Sequence, residues 1–150
     1  MSALTRRWFA FVTVEDRSGA SAALTGVFSE RGVSFGSIST LDVHDGIGTL
    51  SVEFAASERL AHVLVRTLER LAVVREVALV PADDPGVRAV AVIHCPPPEV
   101  DTPGVAAWTE GEGCEATTVL SGPLTAVETA VARLRLAGST PVAVTVLPPR

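Results

Sequence analysis

The chain has 150 residues, 47% of them apolar, which is enough for one domain or two small ones with a packed core. Its net charge is −5 and it contains no lysine, and both features argue against a nucleic-acid partner. No stretch approaches the ~18 consecutive apolar residues that a membrane-spanning helix needs. The N-terminal segment has only a short apolar run that alternates and is then broken by charge, which is typical of a tail entering a strand rather than of a signal peptide. These features predict a cytoplasmic protein that binds neither nucleic acid nor membrane.

The first two predicted elements are a strand and a helix joined by a tight turn. Residues 8–14 are apolar on both faces, so this strand should be covered on both sides. Apolar residues then recur at helical spacing, namely Ala20, Ala23, Leu24, Val27 and Phe28. Gly32 follows where a helix C-terminus needs a left-handed residue. The turn should leave the backbone N–H groups of residues 18–22 without intrahelical partners, and their partial positive charge suits a carboxylate.

The next elements complete the order β-α-β-β-α-β. Residues 33–44 are typical of a long, irregular strand with Gly36 as a candidate bulge, and Asp45-Gly46 is a hairpin signal. Residues 48–55 alternate cleanly, and Ser57 should cap a helix that runs to about residue 71. A fourth strand is predicted at residues 73–80. This order predicts a ferredoxin-like α+β domain over residues 1–80.

The second half of the chain resembles a reduced copy of the first. Residues 81–86 have linker composition, and residues 87–150 form the predicted second domain. Its strands are predicted at residues 87–95, 114–120 and 141–147, with a helix between Pro123 and Gly138. The first helix of the copy is missing or replaced by a proline-rich stretch and the short segment 105–108. The predicted fold class is therefore α+β, with a complete ferredoxin-like domain followed by a reduced one.

Three further features could carry chemistry, and each has a plainer interpretation. Cys95 and Cys114 lack metal-ligand spacing and are too few for a disulfide framework, which favours a reducing compartment. His94 precedes Cys95 in a predicted strand, so their side chains should point to opposite faces and cannot pair as base and nucleophile. We expect a partly buried histidine and a small apolar cysteine there. Asp42 and His44 could share a strand face, but two ligands do not make a metal site.

The opening stretch resembles an ACT domain, an amino-acid-sensing module. The residues that carry the resemblance are Glu15-Asp16-Arg17-Ser18-Gly19-Ala20, followed by Val27-Phe28-Ser29-Glu30-Arg31-Gly32-Val33. This spaced pattern is most similar to the small regulatory subunit of acetohydroxyacid synthase, also called acetolactate synthase. The resemblance is strong over residues 8–80 and weak over residues 87–147. It implies a βαββαβ ACT domain followed by a reduced ACT-like domain.

The resemblance also implies a binding site for a branched-chain amino acid such as valine. At the position of Asp16 the family's acid or amide contacts the effector, and at Gly19 a glycine permits close approach of the backbone. Ser34-Phe35 stands where the family commonly has an Asn-Ile pair that contacts an effector across a subunit interface. The predicted effector-binding residues are Asp16, Ser18, Gly19, Ala20, Ser34 and Phe35. Two alternatives stay open, namely that Asp16 merely caps the helix and that Phe35 is simply core.

The implied function is that of a non-catalytic regulatory subunit in branched-chain amino acid biosynthesis. It would bind a catalytic large subunit, raise its activity and confer inhibition by the effector. The thiamine diphosphate chemistry would belong wholly to that partner, so this chain would need neither a cofactor nor a metal. One alternative is a stand-alone ACT-domain sensor serving a different enzyme. The other is a small ferredoxin-like enzyme, which would need a cluster of titratable residues that the sequence does not show.

We also expect a homodimer built by the first domain. A strand that is apolar on both faces needs cover on its second face, and an unpaired sheet edge tends to recruit a partner. A two-fold partner could bring its own Ser34-Phe35 segment to the Gly19 turn of the first chain. The effector would then lie between two subunits.

Overall fold

A computed structural model describes residues 4–97 and 103–150 of the chain. The chain divides into two compact units, Met1–Ala82 and Asp83–Arg150. Each unit contains a four-stranded sheet in which every pair of neighbouring strands is antiparallel. The predicted α+β class with two ferredoxin-like sheets is confirmed.

The first unit has the predicted order β-α-β-β-α-β. Its elements are β1 (Arg6–Glu15), α1 (Ala20–Glu30), β2 (Phe35–His44), β3 (Ile47–Ala56), α2 (Glu58–Glu69) and β4 (Val74–Pro81). The sheet order is β2-β3-β1-β4, so β1 lies inside the sheet while β2 and β4 form its edges. This placement explains why β1 is the most apolar strand of the unit.

The core of the first unit lies between the sheet and the two helices. One face of β1 contributes Trp8 and Val12, and helix α1 contributes Leu24 and Phe28 from its apolar stripe. The indole Nε1 of Trp8 donates a hydrogen bond to the carbonyl oxygen of Ala56 at 3.0 Å, so its buried polar atom is satisfied. The core residues of helix α2 are Ala61, Leu64 and Leu68.

The opposite face of β1 is also buried, as its sequence predicts. Phe9 and Phe11 stack with their ring centroids 6.1 Å apart and are 0% and 5% exposed in a single chain. The homodimer expected from the sequence stays a prediction.

The helix cap, the hairpin turn and the bulge of the first unit lie where the sequence predicts them. The Ser57 hydroxyl accepts a hydrogen bond from the Leu60 N–H at 3.2 Å and caps helix α2. Asp45 and Gly46 have φ angles of 49° and 74°, the positive pair that a two-residue hairpin turn requires. The pairing of β2 with β3 shifts register at Gly36, which is the bulge expected there.

The second unit has a sheet of the same kind, and the residues described between its first two strands form no helix. Its elements are β5 (Arg88–His94), β6 (Ala106–Glu110), a single 3₁₀ turn at Gly113–Glu115, β7 (Thr117–Pro123), α3 (Leu124–Leu136) and β8 (Pro141–Leu147). The sheet order β6-β7-β5-β8 gives β6 the place that β2 has in the first unit. The sequence analysis did not predict this strand, because all of its residues are exposed and its side chains do not alternate.

No helix within residues 4–97 and 103–150 combines the length and apolarity needed to cross a membrane.

Candidate functional site

The turn between β1 and α1 is held at one end of the first sheet. The Glu15 N–H donates to the carbonyl of Val73 just before β4, and the Asp16 N–H donates to the carbonyl of Gly46 in the β2–β3 hairpin, both at 2.8 Å. Gly19 occupies the N-cap position of helix α1 with a φ of 86°. L-residues rarely adopt this conformation, so glycine allows the chain to enter the helix so abruptly.

The start of helix α1 presents unpaired backbone donors. The N–H groups of Ser18, Gly19, Ser21 and Ala22 have no acceptor within the described part of the chain. The Ala20 N–H donates to the Arg17 carbonyl at 3.2 Å, so its partner lies outside the helix, as expected, but this donor is not available to a ligand. The turn closes back on Arg17, whose carbonyl accepts the Ala20 N–H. The remaining donors carry the partial positive charge of a helix N-terminus.

Asp16 belongs to the same turn, two residues before Ser18, and is exposed. It makes no hydrogen bond or ion pair with any residue that the structure describes, and no side chain there caps helix α1. The alternative that Asp16 merely caps the helix is therefore not what the structure shows. The adjacent Glu15 is the residue that forms ion pairs, with Arg17 at 3.5 Å and with Arg75 at 3.8 Å.

Ser34 and Phe35 lie at the opposite end of the sheet from this turn. Phe35 is opposite Phe54, which is itself opposite Trp8 near the start of β1. Glu15, at the end of β1, is instead level with the β2–β3 hairpin. Helix α1 connects the two ends, and its 11 residues span about 16 Å. One chain therefore does not bring Ser34-Phe35 to the Gly19 turn.

The side chains of Ser34 and Phe35 differ in their surroundings. Ser34 is exposed, whereas Phe35 is half-buried and packs against the core. Its ring meets that of Phe28 edge to face, with centroids 6.2 Å apart. Phe35 is thus partly a core residue, and part of its ring remains accessible.

The remaining candidate histidines from the sequence are exposed. His44 is exposed, and its Nε2 lies 3.3 Å from a carboxylate oxygen of Asp45. His94 is also exposed rather than partly buried, and its Nδ1 lies 3.0 Å from the Thr117 hydroxyl. Within the described ranges, no group of three or more His, Cys, Asp or Glu side chains could hold a metal ion.

The prediction of a small apolar cysteine at position 95 is wrong. Cys95 lies just beyond β5 with a left-handed φ of 51°, and both its side chain and that of Cys114 are exposed. Because β5 ends at His94, the strand geometry that would have turned this side chain inward no longer applies. The two thiols line one cleft of about 710 Å³, which the sequence analysis did not identify.

Each unit has a four-stranded ferredoxin-like sheet, and in the first unit a glycine-headed turn follows the first strand. Among solved structures, the chain is similar to the acetolactate synthase small subunit from Thermotoga maritima, with 15% identity and a TM-score of 0.66. The similarity covers 95% of this chain and 94% of that chain. The resemblance seen in the opening stretch is therefore confirmed at the level of fold over nearly the whole length.

Two other solved structures are less similar. An unknown protein from Galdieria sulphuraria has 13% identity and a TM-score of 0.48, with 97% of this chain and 99% of that chain covered. The ligand-free regulatory subunit of aspartate kinase from Thermus thermophilus has 19% identity and a TM-score of 0.47, with 89% and 93% covered. No protein-family model matches the sequence. No curated protein matches it either.

Proposed function

We propose that the chain is a non-catalytic regulatory subunit that binds a free amino acid at the Asp16–Gly19 turn. The observation that carries this proposal is the juxtaposition of unpaired N–H groups with an unpaired carboxylate on one turn. An α-amino acid presents the complementary pair, a carboxylate and an ammonium group attached to the same carbon atom. The donors of Ser18, Gly19, Ser21 and Ala22 suit the carboxylate, and Asp16 suits the ammonium.

The same arrangement discriminates against simple anions. A phosphate or a dicarboxylate would also be drawn to the helix N-terminus, but it would be repelled by the Asp16 carboxylate. A zwitterion places its positive end against that charge. The turn is therefore suited to amino acids more than to anions in general.

A second copy of the chain would complete the pocket. The β2 strands of two chains, paired antiparallel about a two-fold axis, would place the start of the partner's β2 beside the end of the first chain's β2. That end of the sheet holds the hairpin and the Gly19 turn, since His44 and Glu15 both pair with Ile47. The exposed Ser34 hydroxyl and the accessible part of the Phe35 ring of one chain would then approach the turn of the other.

The Ser34-Phe35 segment of the second copy indicates which kind of effector side chain the pocket would accept. Phe35 offers an aromatic surface and Ser34 a single hydroxyl, which suits an aliphatic side chain such as that of valine or leucine. The family resemblance implies the same class. Homodimerisation through the first unit is therefore part of the proposed function.

The catalytic partner is a thiamine-dependent synthase. This assignment rests on the family resemblance of residues 15–33 and on the similarity of fold to the acetolactate synthase small subunit from Thermotoga maritima. The chain would raise the partner's activity in the cytoplasm and transmit inhibition when the amino acid binds. Thiamine diphosphate would be held by the partner alone.

The binding site is tested by calorimetric titration of the full chain with each common amino acid, and then by Gly19→Asp. The added carboxylate would occupy the place of the ligand's own and repel it, so binding should be abolished while the circular dichroism spectrum is unchanged. Gly138→Asp is the matched control, because Gly138 has a φ of 91° and, like Gly19, has no heavy atom within 4 Å of an added Cβ. Unchanged affinity in Gly19→Asp would remove the turn from the binding site.

A further inference from the structure

The two cysteines are brought together by the pairing of β5 with β7. His94 pairs with Thr117, and one step beyond it the Cys95 N–H donates to the Ala116 carbonyl at 2.9 Å. The 3₁₀ turn just before Ala116 folds Cys114 back toward Cys95, held by the bond from the Ala116 N–H to the Gly113 carbonyl at 3.2 Å. Two residues that are 19 positions apart in sequence therefore meet at one end of the second sheet.

The surroundings of the two cysteines leave both side chains exposed and raise the pKa of Cys95. A hydrogen bond with the Cys114 side chain raises the pKa of Cys95, with desolvation and the charge of a Cys114 thiolate acting in the same direction. Both side chains are exposed at the cleft, so a reagent in solution reaches either sulfur. Exposure also leaves each side chain free to rotate toward the other.

We propose that Cys95 and Cys114 form a reversible intramolecular disulfide, and that its oxidant is a small-molecule disulfide such as oxidised glutathione. This modification site is separate from the proposed amino-acid site and does not depend on it. The cross-link would join the end of β5 to the turn that precedes β7. It would close one wall of the cleft and hold the 3₁₀ turn in place.

The reaction proceeds by two thiol–disulfide exchanges. One cysteine, as its thiolate, attacks a sulfur of the oxidant, forms a mixed disulfide and releases one glutathione thiolate. The second cysteine then attacks its neighbour's sulfur and releases the other glutathione. The two cysteines lose two protons and two electrons in total, and the oxidant gains them as two glutathione thiols.

An internal reporter lies on the same cleft. Trp108 in β6 is 50% exposed and lines the cleft together with both cysteines, whereas Trp8 is buried in the first unit. Disulfides quench the fluorescence of nearby indoles. Formation of the bond should therefore reduce the emission of Trp108 and leave that of Trp8 unchanged.

The test uses the full chain in glutathione buffers of increasing oxidised fraction. We expect both thiols to disappear together, the mass to fall by two hydrogen atoms and the indole emission to fall, all reversed by dithiothreitol. Cleavage after glutamate, with Glu110 between the cysteines, should yield two peptides joined by a disulfide. The rate should rise with pH into the alkaline range, because the raised pKa of Cys95 keeps it as a thiol near neutrality.

Matched variants distinguish a disulfide between the two cysteines from the reaction of either cysteine alone. Cys95→Ser and Cys114→Ser should each retain one glutathione as a stable mixed disulfide, and Trp108→Phe should abolish the fluorescence change while the bond still forms. The proposal is overturned if wild-type chain ends with glutathione on both cysteines, with a disulfide between two chains, or with both thiols intact at the most oxidising ratio. The oxidised chain should also melt at a temperature roughly 5 °C or more above the reduced chain.

Discussion

At the residue scale, the two helices of the first unit begin in opposite ways. Helix α2 has a serine cap whose hydroxyl accepts the Leu60 N–H, so its first turn is satisfied by the protein. Helix α1 begins at a glycine, and no side chain within the described ranges accepts its donors. A side-chain cap contributes about 1 kcal/mol, and helix α1 is without one. The uncapped end is the one that the proposed ligand would satisfy.

The cap of helix α2 can be measured directly. Ser57→Ala should lower the free energy of unfolding by about 1 kcal/mol, because the Leu60 N–H loses its acceptor at the partly buried start of the helix. Ser29→Ala is the matched control, since Ser29 is exposed near the end of helix α1 and its change should stay within about 0.5 kcal/mol. Urea denaturation followed by circular dichroism gives both values. Equal stability of the two variants would contradict the role of the cap.

At the element scale, the strands differ in how clearly their sequences reveal them. Strand β1 is inside its sheet and buried on both faces, so its apolar run identifies it. Strand β3 has one face in the core, so apolar and polar residues alternate along its sequence. Strand β6 is a short edge strand exposed along its whole length, and it exists because its backbone pairs with β7. Backbone pairing imposes no side-chain pattern, which is why this strand could not be predicted from the sequence.

The exposed edge strand β2 is where we expect the first unit to dimerise. Ser39 lies near the middle of β2, so an antiparallel two-fold pairing would place it close to its own copy. Ser39→Glu would bring two carboxylates together, and the dissociation constant of the dimer should rise about fivefold. Ala143→Glu, an exposed position on the edge strand β8 of the second unit, is the control and should leave the constant unchanged. Sedimentation velocity at falling concentration gives the constants, and a compact monomer at micromolar concentration would refute the dimer.

At the scale of the whole molecule, the chain is proposed to act only by regulating a separate catalytic chain. If the proposed function is right, the isolated protein should not turn over any substrate, because the thiamine diphosphate chemistry would belong to its partner. Added to the catalytic chain of a thiamine-dependent synthase, it should raise acetolactate formation and make it sensitive to the bound amino acid. The same amino acid should tighten the dimer, because a ligand shared between subunits stabilises their association by linkage.

A steady-state assay of the partner with and without this chain measures the effect. The Gly19→Asp variant is the internal control, since it should still raise the partner's activity but should not confer inhibition. Complex formation without any change in activity would contradict the regulatory role. Amino-acid binding without complex formation would instead indicate a sensor that serves another enzyme.

The sequence by itself determined the order of elements in the first unit and the start of helix α2. Ser57, Asp45-Gly46 and the apolar stripes specify these features through interactions between residues near in sequence, so a local pattern records them. Only the tertiary structure decided three other features: the edge strand β6, the separation of Ser34-Phe35 from the Gly19 turn, and the meeting of Cys95 with Cys114. Each depends on which strands pair and in which register. Backbone hydrogen bonds between distant segments set that register, and these bonds leave no periodic pattern in the side chains.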